Sequence, residues 1–442
     1  MFRVLLNIPS VSLIGVSPPA NLEDFIPPNA SPLILYSEIK YRIELNREIE
    51  ESFIMLDVET YDLAERLARI SQTHFTFSSA HNLNAFLTNG FPIKVSSMND
   101  LYQMVDSFHA GQLERLVAEM GAISQEDIDL LADVIELTIE LQLQMFAERK
   151  PILAYAATLG TLCLYRKMRA INPNFSTVLE IGPGSGLLSY FLAQHTQLIN
   201  YSQIEACQSL YLLQSAIGRH AFGLAHKERA FPPLENCSEF FGGINRPPWQ
   251  EIGEQPETIP RPLVETLCEH FPWWRTGDVA KRNNYFDIVT SNANLNEFSE
   301  PALHLYLKLT SEVLKEDGLF IAQGSGADFV GRTKHLTRIF TDHKLAVVAF
   351  AHPGTVIESN GDHPQQRTLV DDNILLVKEG HPIFDAYFDR PVDENGFFGD
   401  EDFIHRMFNE NLSQQTFLPP DRLRETVTTR VEERVNQRHM DA

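Results

Sequence analysis

Eleven consecutive residues, Val178-Leu179-Glu180-Ile181-Gly182-Pro183-Gly184-Ser185-Gly186-Leu187-Leu188, join an apolar strand-like run to three alternating glycines and an apolar helix-like continuation. Glycine serves such a turn in two ways. It adopts positive φ, and it lets the backbone approach a ligand that a side chain would hold off. A turn at the carboxyl end of a buried strand opens onto the crevice where open α/β sheets bind their ligands. The spacing here is GxGxG; the dinucleotide fingerprint GxGxxG needs a glycine at position 187, where this chain has leucine. A carboxylate, Glu180, stands two residues before the first glycine. That placement is unfavourable for a pyrophosphate, which prefers helix-end N–H groups and no neighbouring anion. A second acid, Glu205, follows the run Asn200 to Ile204 and lies 19 residues beyond Gly186. This is the distance at which nucleoside-binding folds place a ribose-binding carboxylate.

The pattern resembles motif I of the class I S-adenosylmethionine-dependent methyltransferases. A cationic sulfonium bearing an ammonium group tolerates the carboxylate that a pyrophosphate would not. The resemblance implies S-adenosylmethionine as cofactor, with Glu180, Gly182, Gly184, Gly186 and Asn292 bordering it and Glu205 accepting the ribose hydroxyls. Tyr285-Phe286-Asp287-Ile288-Val289-Thr290 is similar to the family's fourth strand, and Leu314 to Ile321 to its turn and fifth strand. Asn373 to Lys378 corresponds to its antiparallel last strand. The resemblance spans about residues 176 to 378, less than half of the chain. Phe271-Pro272-Trp273-Trp274 departs from the family's third strand, where an acid usually holds the adenine amino group; either Asp278 takes that role or no residue does, and the tryptophans stack on adenine or a sugar or pack in the core.

After the fourth strand the chain reads Ser291-Asn292-Ala293-Asn294-Leu295-Asn296-Glu297-Phe298. The Asn/Asp-Pro-Pro-Tyr/Phe signature of amine methylation is absent. The segment is similar to that of sugar O-methyltransferases, which implies a small-molecule oxygen acceptor. A hydroxyl is a poor nucleophile until a base takes its proton or a metal lowers its pKa, and it must be held close to the methyl. Glu297 is the first candidate for base or hydroxyl-orienting group, with Asn296 beside it. Asn294, Asp328 and His352 are further candidates on strand-end loops. His304, among leucines in a helix, reads as a packed histidine. None of these strand ends carries an HxD or HxE pair, so no metal is expected.

These residues need elements to hold them. From Ser176 onward short apolar runs alternate with helical stretches, which predicts an α/β fold: a doubly wound, mostly parallel seven-stranded sheet of Rossmann-like class. Before it, residues 1–170 read as a mainly helical cap or substrate domain. The clearest helix has Ser124 as N-cap, Asp127 three residues on, and Ile128, Leu131, Ile135 and Ile139 as its apolar stripe. Its Asp129, Asp133, Glu136 and Glu140 predict a solvated face. Pro151 to Tyr165 reads as a buried helix and Phe75 to Ser97 as a hairpin or ordered loop. The cofactor domain spans 171–380, with an insertion at about 231–278 rich in Pro, Gly and Trp. Residues 381–442 form an extension ending in a helix with Leu423, Val427, Val431 and Val435 on one stripe.

Composition sets the outer limits. The 442 residues carry a net charge of −23 and are 43% apolar. A chain of this length buries a large core without staples, and ~150 residues per domain predicts two or three domains. Such an acidic surface repels polyphosphate backbones, so a nucleic-acid partner is not expected. No apolar run reaches the ~18 residues of a membrane span, so no membrane partner is expected either. The start, Met1 to Pro19, is too interrupted for a signal peptide, which predicts a cytoplasmic protein. Cys163, Cys207, Cys237 and Cys268 lie 30 to 44 residues apart and form no CxxC pair, consistent with buried thiols in a reducing compartment. A homo-oligomer is left open. Two rival functions remain at this stage: an NAD-dependent oxidoreductase, and a non-catalytic methyltransferase-like binding module.

Overall fold

A computed structural model describes residues 56–71, 94–107, 113–146, 149–230, 266–292, 294–295, 297–298, 300–324, 332–351, 353–354, 356–358, 366–369, 371–381, 397–399 and 416–441. The helices used below are α1 (Val58–Ser71), α2 (Gln125–Met145), α3 (Tyr155–Ile171), α4 (Leu188–Ala193), α5 (Gln208–Phe222), α6 (Thr276–Ala280), α7 (Glu300–Val313), α8 (Arg332–Asp342) and α9 (Pro420–Asp441). The large sheet consists of β1 (Thr177–Ile181), β2 (Asn200–Glu205), β3 (His226–Glu228), β4 (Leu267–Pro272), β5 (Phe286–Asn292), β6 (Leu314–Gln323), β7 (Leu345–Ala351), β8 (Asn373–Lys378) and β9 (Phe397–Gly399).

The sheet order is β9-β7-β8-β6-β5-β1-β2-β4-β3. From β1 the chain winds outward through β2 to β4, then returns to β5 on the other side and winds outward again. The order therefore reverses at β1, which opens a crevice at the carboxyl ends of β1, β2 and β5. β8 lies between β6 and β7 and runs antiparallel to both, as expected for the last strand of the resemblance. An all-parallel dinucleotide-binding sheet has no such strand.

The expected seven strands are nine, because two three-residue strands, β3 and β9, extend the edges. Three-residue strands carry too little alternation to be read from sequence. The segment taken as an insertion also needs correction at its end. Leu267–Pro272 pairs in parallel with β2 along its whole length and is an internal strand, so Phe271 and Pro272 belong to the sheet. Its cysteine, glutamate, histidine and proline hid a strand that is buried from Cys268 onward.

Alternation along the strands sends side chains into two cores. On one face Val178 and Tyr201 meet Leu159, Leu162 and Met168 of α3 and Leu188 and Phe191 of α4. On the other, Leu179, Ile181 and Val289 meet Leu303, Leu307 and Leu309 of α7 and Ile339 and Phe340 of α8. The sheet and the helices before it thus share a core.

α2 begins with the expected capping box, Ser124 and Asp127 bonding each other's backbone. Its acidic face is only partly solvated, with Asp129, Asp133 and Glu140 half-buried. Glu136 is 4% exposed, Asp129 pairs with Arg430 of α9 at 2.9 Å, and Glu140 lies 4.0 Å from His220 of α5. α9 lays Leu423, Val427 and Val431 into the same core, so its stripe is used within the chain. α3 begins at Tyr155 and leaves Pro151 to Ala154 outside the helix. Most of the 75–97 stretch, the insertion between 231 and 265, and Cys237 lie outside the described residues; Cys163, Cys207 and Cys268 are buried. Among the described residues no helix is long and apolar enough to cross a membrane.

Candidate functional site

The turn after β1 has the backbone that its glycines require: φ is +66° at Gly182, +56° at Gly184 and +75° at Gly186. Non-glycine residues pay to enter this region. The Gly182 N–H donates to the Ile204 carbonyl at 2.8 Å, tying the turn to β2. Asn294, in the loop after β5, clamps it from the other side. Its Nδ2 donates to the carbonyls of Ile181 at 2.9 Å, Gly182 at 3.0 Å and Asn292 at 2.7 Å. A Cβ on Gly182 would stand 2.2 Å from Asn294 Oδ1, so this glycine makes room for a protein contact. Gly184 differs. Among the described residues a Cβ there meets nothing within 4 Å, leaving open space over the middle of the turn.

Glu205 ends β2 and is 3% exposed. Its Oε1 accepts from the Ala206 and Cys207 N–H groups at 2.7 and 2.8 Å, and its Oε2 from Gln214 Nε2 at 2.8 Å. Burial pushes this carboxyl up from the usual carboxylate range, against the pull of those donors. A carboxylate offers about four acceptor positions. Three are filled, and one is left for a further donor. Gln214 of α5 also donates to the Gly184 carbonyl at 2.8 Å, so a single side chain fixes both the turn and the acid.

Glu180 is 4% exposed and lies beneath the turn, where it accepts from the Tyr201 hydroxyl. Gln203 donates to that hydroxyl at 2.6 Å and to Ser189 Oγ at 3.0 Å. Burial, the dominant influence, pushes Glu180 up to about 8, with the Tyr201 hydrogen bond opposing and the Glu205 charge assisting. At neutral pH this balance favours the protonated carboxyl.

At the end of β5, Asn292 is exposed. Glu297 is half-buried, and its backbone N–H donates to the Asn294 carbonyl at 2.9 Å. Burial, followed by the charges of Glu205, Glu297 and Glu65, drives the Cys207 thiol well above its ordinary value. Asn296, Asp328 and His352 lie outside the described residues. His304 bonds His343 through Nδ1 at 2.8 Å, away from the turn. Asp278 is held by Arg275 and by Lys281 at 3.5 Å.

α1 approaches the crevice from the N-terminal part of the chain. Asp62 accepts from Gln208 at the start of α5 at 2.6 Å, and Lys94 pairs with Glu65 at 2.9 Å. The α1 residue Tyr61 packs edge-on against Trp274 with ring centres 5.3 Å apart. Trp274 donates to the Ala230 carbonyl at 3.0 Å and is 1% exposed, so it serves the core and not a ligand.

Sequence reasoning missed three residues or groups here. Gln214 and Tyr201 carried no motif, because a lone glutamine and a lone tyrosine are ordinary in helices and strands. The third is a cluster at the β3–β4 edge. His226, Glu228 and His270 bring one nitrogen each and a carboxylate oxygen within 4.8 Å of one another. His226-Lys227-Glu228 is an HxE pair, passed over because it sits outside the strand ends that face the crevice.

No family model matches the sequence, and no curated protein matches it. Solved structures do resemble it. Trm1 from Pyrococcus horikoshii with S-adenosyl-L-methionine matches over 60% of this chain and 74% of that one, at 14% identity and a TM-score of 0.31. A TehB-like S-adenosylmethionine-dependent methyltransferase from Corynebacterium glutamicum matches over 49% and 87%, at 11% identity and 0.28. Spermidine synthase with a transition-state analogue matches over 57% and 73%, at 17% identity and 0.28. At these values the likeness establishes no family and no substrate, and the chemistry must be argued from this chain's own site.

Proposed function

We propose that this protein is an S-adenosylmethionine-dependent methyltransferase acting on a hydroxyl of a small molecule, a sugar being the acceptor class we favour. The observation that carries the reading is the open space at Gly184. A positive-φ glycine whose Cβ would touch no atom of the described residues sits on the switch-point turn, in the chain between β1, which carries the buried Glu180, and β2, which ends in the buried Glu205. Such a position is useful when something other than protein comes close. The antiparallel β8 between β6 and β7 and the leucine at 187 disfavour the NAD-dependent oxidoreductase.

The residues suit this cofactor. Glu205 keeps one acceptor position for a ribose hydroxyl, and Gln214 holds it in place. Glu180 ionises when a positive charge arrives, so its buried carboxyl favours a cation over a pyrophosphate. S-adenosylmethionine supplies a methyl on a sulfonium, a leaving group that departs as a neutral thioether. Glu297 takes or orients the acceptor's hydroxyl proton, Asn292 borders the cofactor, and Asn296, next to Glu297 in the sequence, is the second catalytic candidate. The cap formed by the helices before residue 171 shapes the acceptor side.

The test is to follow formation of S-adenosylhomocysteine from S-adenosylmethionine in the presence of free sugars, sugar nucleotides and polyols. Methylation of a hydroxyl is expected, with Glu297→Gln keeping cofactor affinity and losing turnover by ~100-fold or more. Methylation of amines alone contradicts the acceptor assignment. Unchanged turnover removes Glu297 from the mechanism.

A further inference from the structure

We propose that His226, Glu228 and His270 bind one divalent transition-metal ion, zinc by preference, in a buried site behind the cofactor turn. One nitrogen from each histidine and one Glu228 oxygen lie within 4.8 Å of one another. The donor set, two imidazoles and a carboxylate, is one that zinc accepts, with the fourth position left to water.

Two nitrogens point to a ligand independently of that spacing. His226 Nε2 and His270 Nδ1 are buried and have no hydrogen-bond partner among the described residues, on side chains of residues that are 3% and 0% exposed. An unsatisfied buried polar atom is costly, and two in one cluster call for an occupant. Glu228 does not fill the gap, since its Oε2 is 3.7 Å from His270 Nδ1, beyond hydrogen-bond reach.

The other atoms of the three side chains are held as metal-site ligands require. His270 Nε2 bonds Gln214 Oε1 at 3.1 Å, which makes Nε2 the protonated nitrogen and leaves the Nδ1 lone pair free. Its ring stacks on Tyr211 with centres 3.8 Å apart. His226 Nδ1 lies 3.5 Å from Cys268 Sγ, which leaves Nε2 as the ring nitrogen without a partner among the described residues. Gly218 leaves room for that ring: a Cβ there would stand 2.6 Å from it. Glu228 accepts from Ser215 at 2.6 Å and from the Arg229 N–H at 2.9 Å. Outer partners that fix a ligand's orientation and tautomer are a regular feature of such sites. Zinc–ligand bonds of ~2.0–2.2 Å require the three atoms to draw together slightly, a movement that side-chain torsions supply.

The site has a structural consequence. Gln214 touches His270 with its oxygen and both Glu205 and the Gly184 carbonyl with its nitrogen. An ion fixing His270 therefore fixes the amide that positions the glycine turn.

The experiment is metal analysis of the full-length native protein, after removal of bound metal by a chelator and titration with zinc chloride, then cobalt chloride. The expected result is one zinc per chain, a cobalt visible absorption band at one equivalent, and an X-ray absorption spectrum with N/O ligands and imidazole scattering. Glu228→Gln and His226→Asn should each weaken zinc binding by more than ~10-fold. Native protein that takes up less than a tenth of an equivalent overturns the proposal. So does one-equivalent binding that both variants retain, or an absorption spectrum without imidazole. Because the spectrum is read on native protein, the proposal stays testable if the variants do not fold.

Discussion

Replacing Gly184 and Gly182 separately by alanine distinguishes a turn shaped for a ligand from one shaped only for the fold. Both residues have positive φ, and an L-residue there costs ~1–2 kcal/mol. At Gly184 nothing more is lost among the described residues, because the new Cβ meets none of their atoms within 4 Å. At Gly182 the Cβ would stand 2.2 Å from Asn294 Oδ1, so the amide must leave the carbonyls it bridges. Its two N–H groups contribute ~1 kcal/mol each, bringing the cost to ~3–4 kcal/mol. Urea unfolding should therefore find Gly182→Ala more destabilised than Gly184→Ala by ~2 kcal/mol. Calorimetry with S-adenosylhomocysteine should find Gly184→Ala weakened by ~10-fold or more, worth ~1.4 kcal/mol of binding, although its fold is nearly intact. Native affinity in Gly184→Ala would refute the reasoning, since no ligand could then fill that space.

Glu180→Gln should remove a pH dependence. The Glu180 carboxyl is raised from 4.5 to about 8 by burial, so the folded state holds its proton more tightly than the unfolded chain. That contribution to stability is present below about pH 4.5 and is lost as pH rises towards 8, at up to ~1.4 kcal/mol per unit. Unfolding curves at about pH 5 and 8 should show the variant gaining on the native protein; a constant difference would mean that Glu180 is not perturbed. Leu423→Ala, at a site 4% exposed, should cost ~2–5 kcal/mol if α9 is part of the shared core, whereas an independent tail helix would leave the main unfolding transition unmoved.

The class of fold and the turn were legible because their signals are local. Glycine spacing, an acid two residues before it, and apolar runs of five to seven residues determine a strand-turn-helix without help from the rest of the chain. The third internal strand was not legible. Leu267–Pro272 reads Leu-Cys-Glu-His-Phe-Pro, and its glutamate is buried only because Arg229 and Arg282 pair with it. The acidic face of α2 misled for the same reason, since Arg430, some 300 residues away, supplies its partner. Asn294 shows the limit at the site itself. Sequence placed it in the acceptor loop, but its clamp on Gly182 depends on β5 lying beside β1. Gln214 is the same case: its contacts with Glu205, Gly184 and His270 gather three segments that only the sheet order brings together.

The central claim is that the switch-point turn holds S-adenosylmethionine. Isothermal titration of the native full-length protein with S-adenosylhomocysteine, and separately with NADH, tests it most directly. The account predicts saturable one-site binding of S-adenosylhomocysteine and none of NADH. Binding of NADH with no response to S-adenosylhomocysteine, or no binding of either, would contradict it.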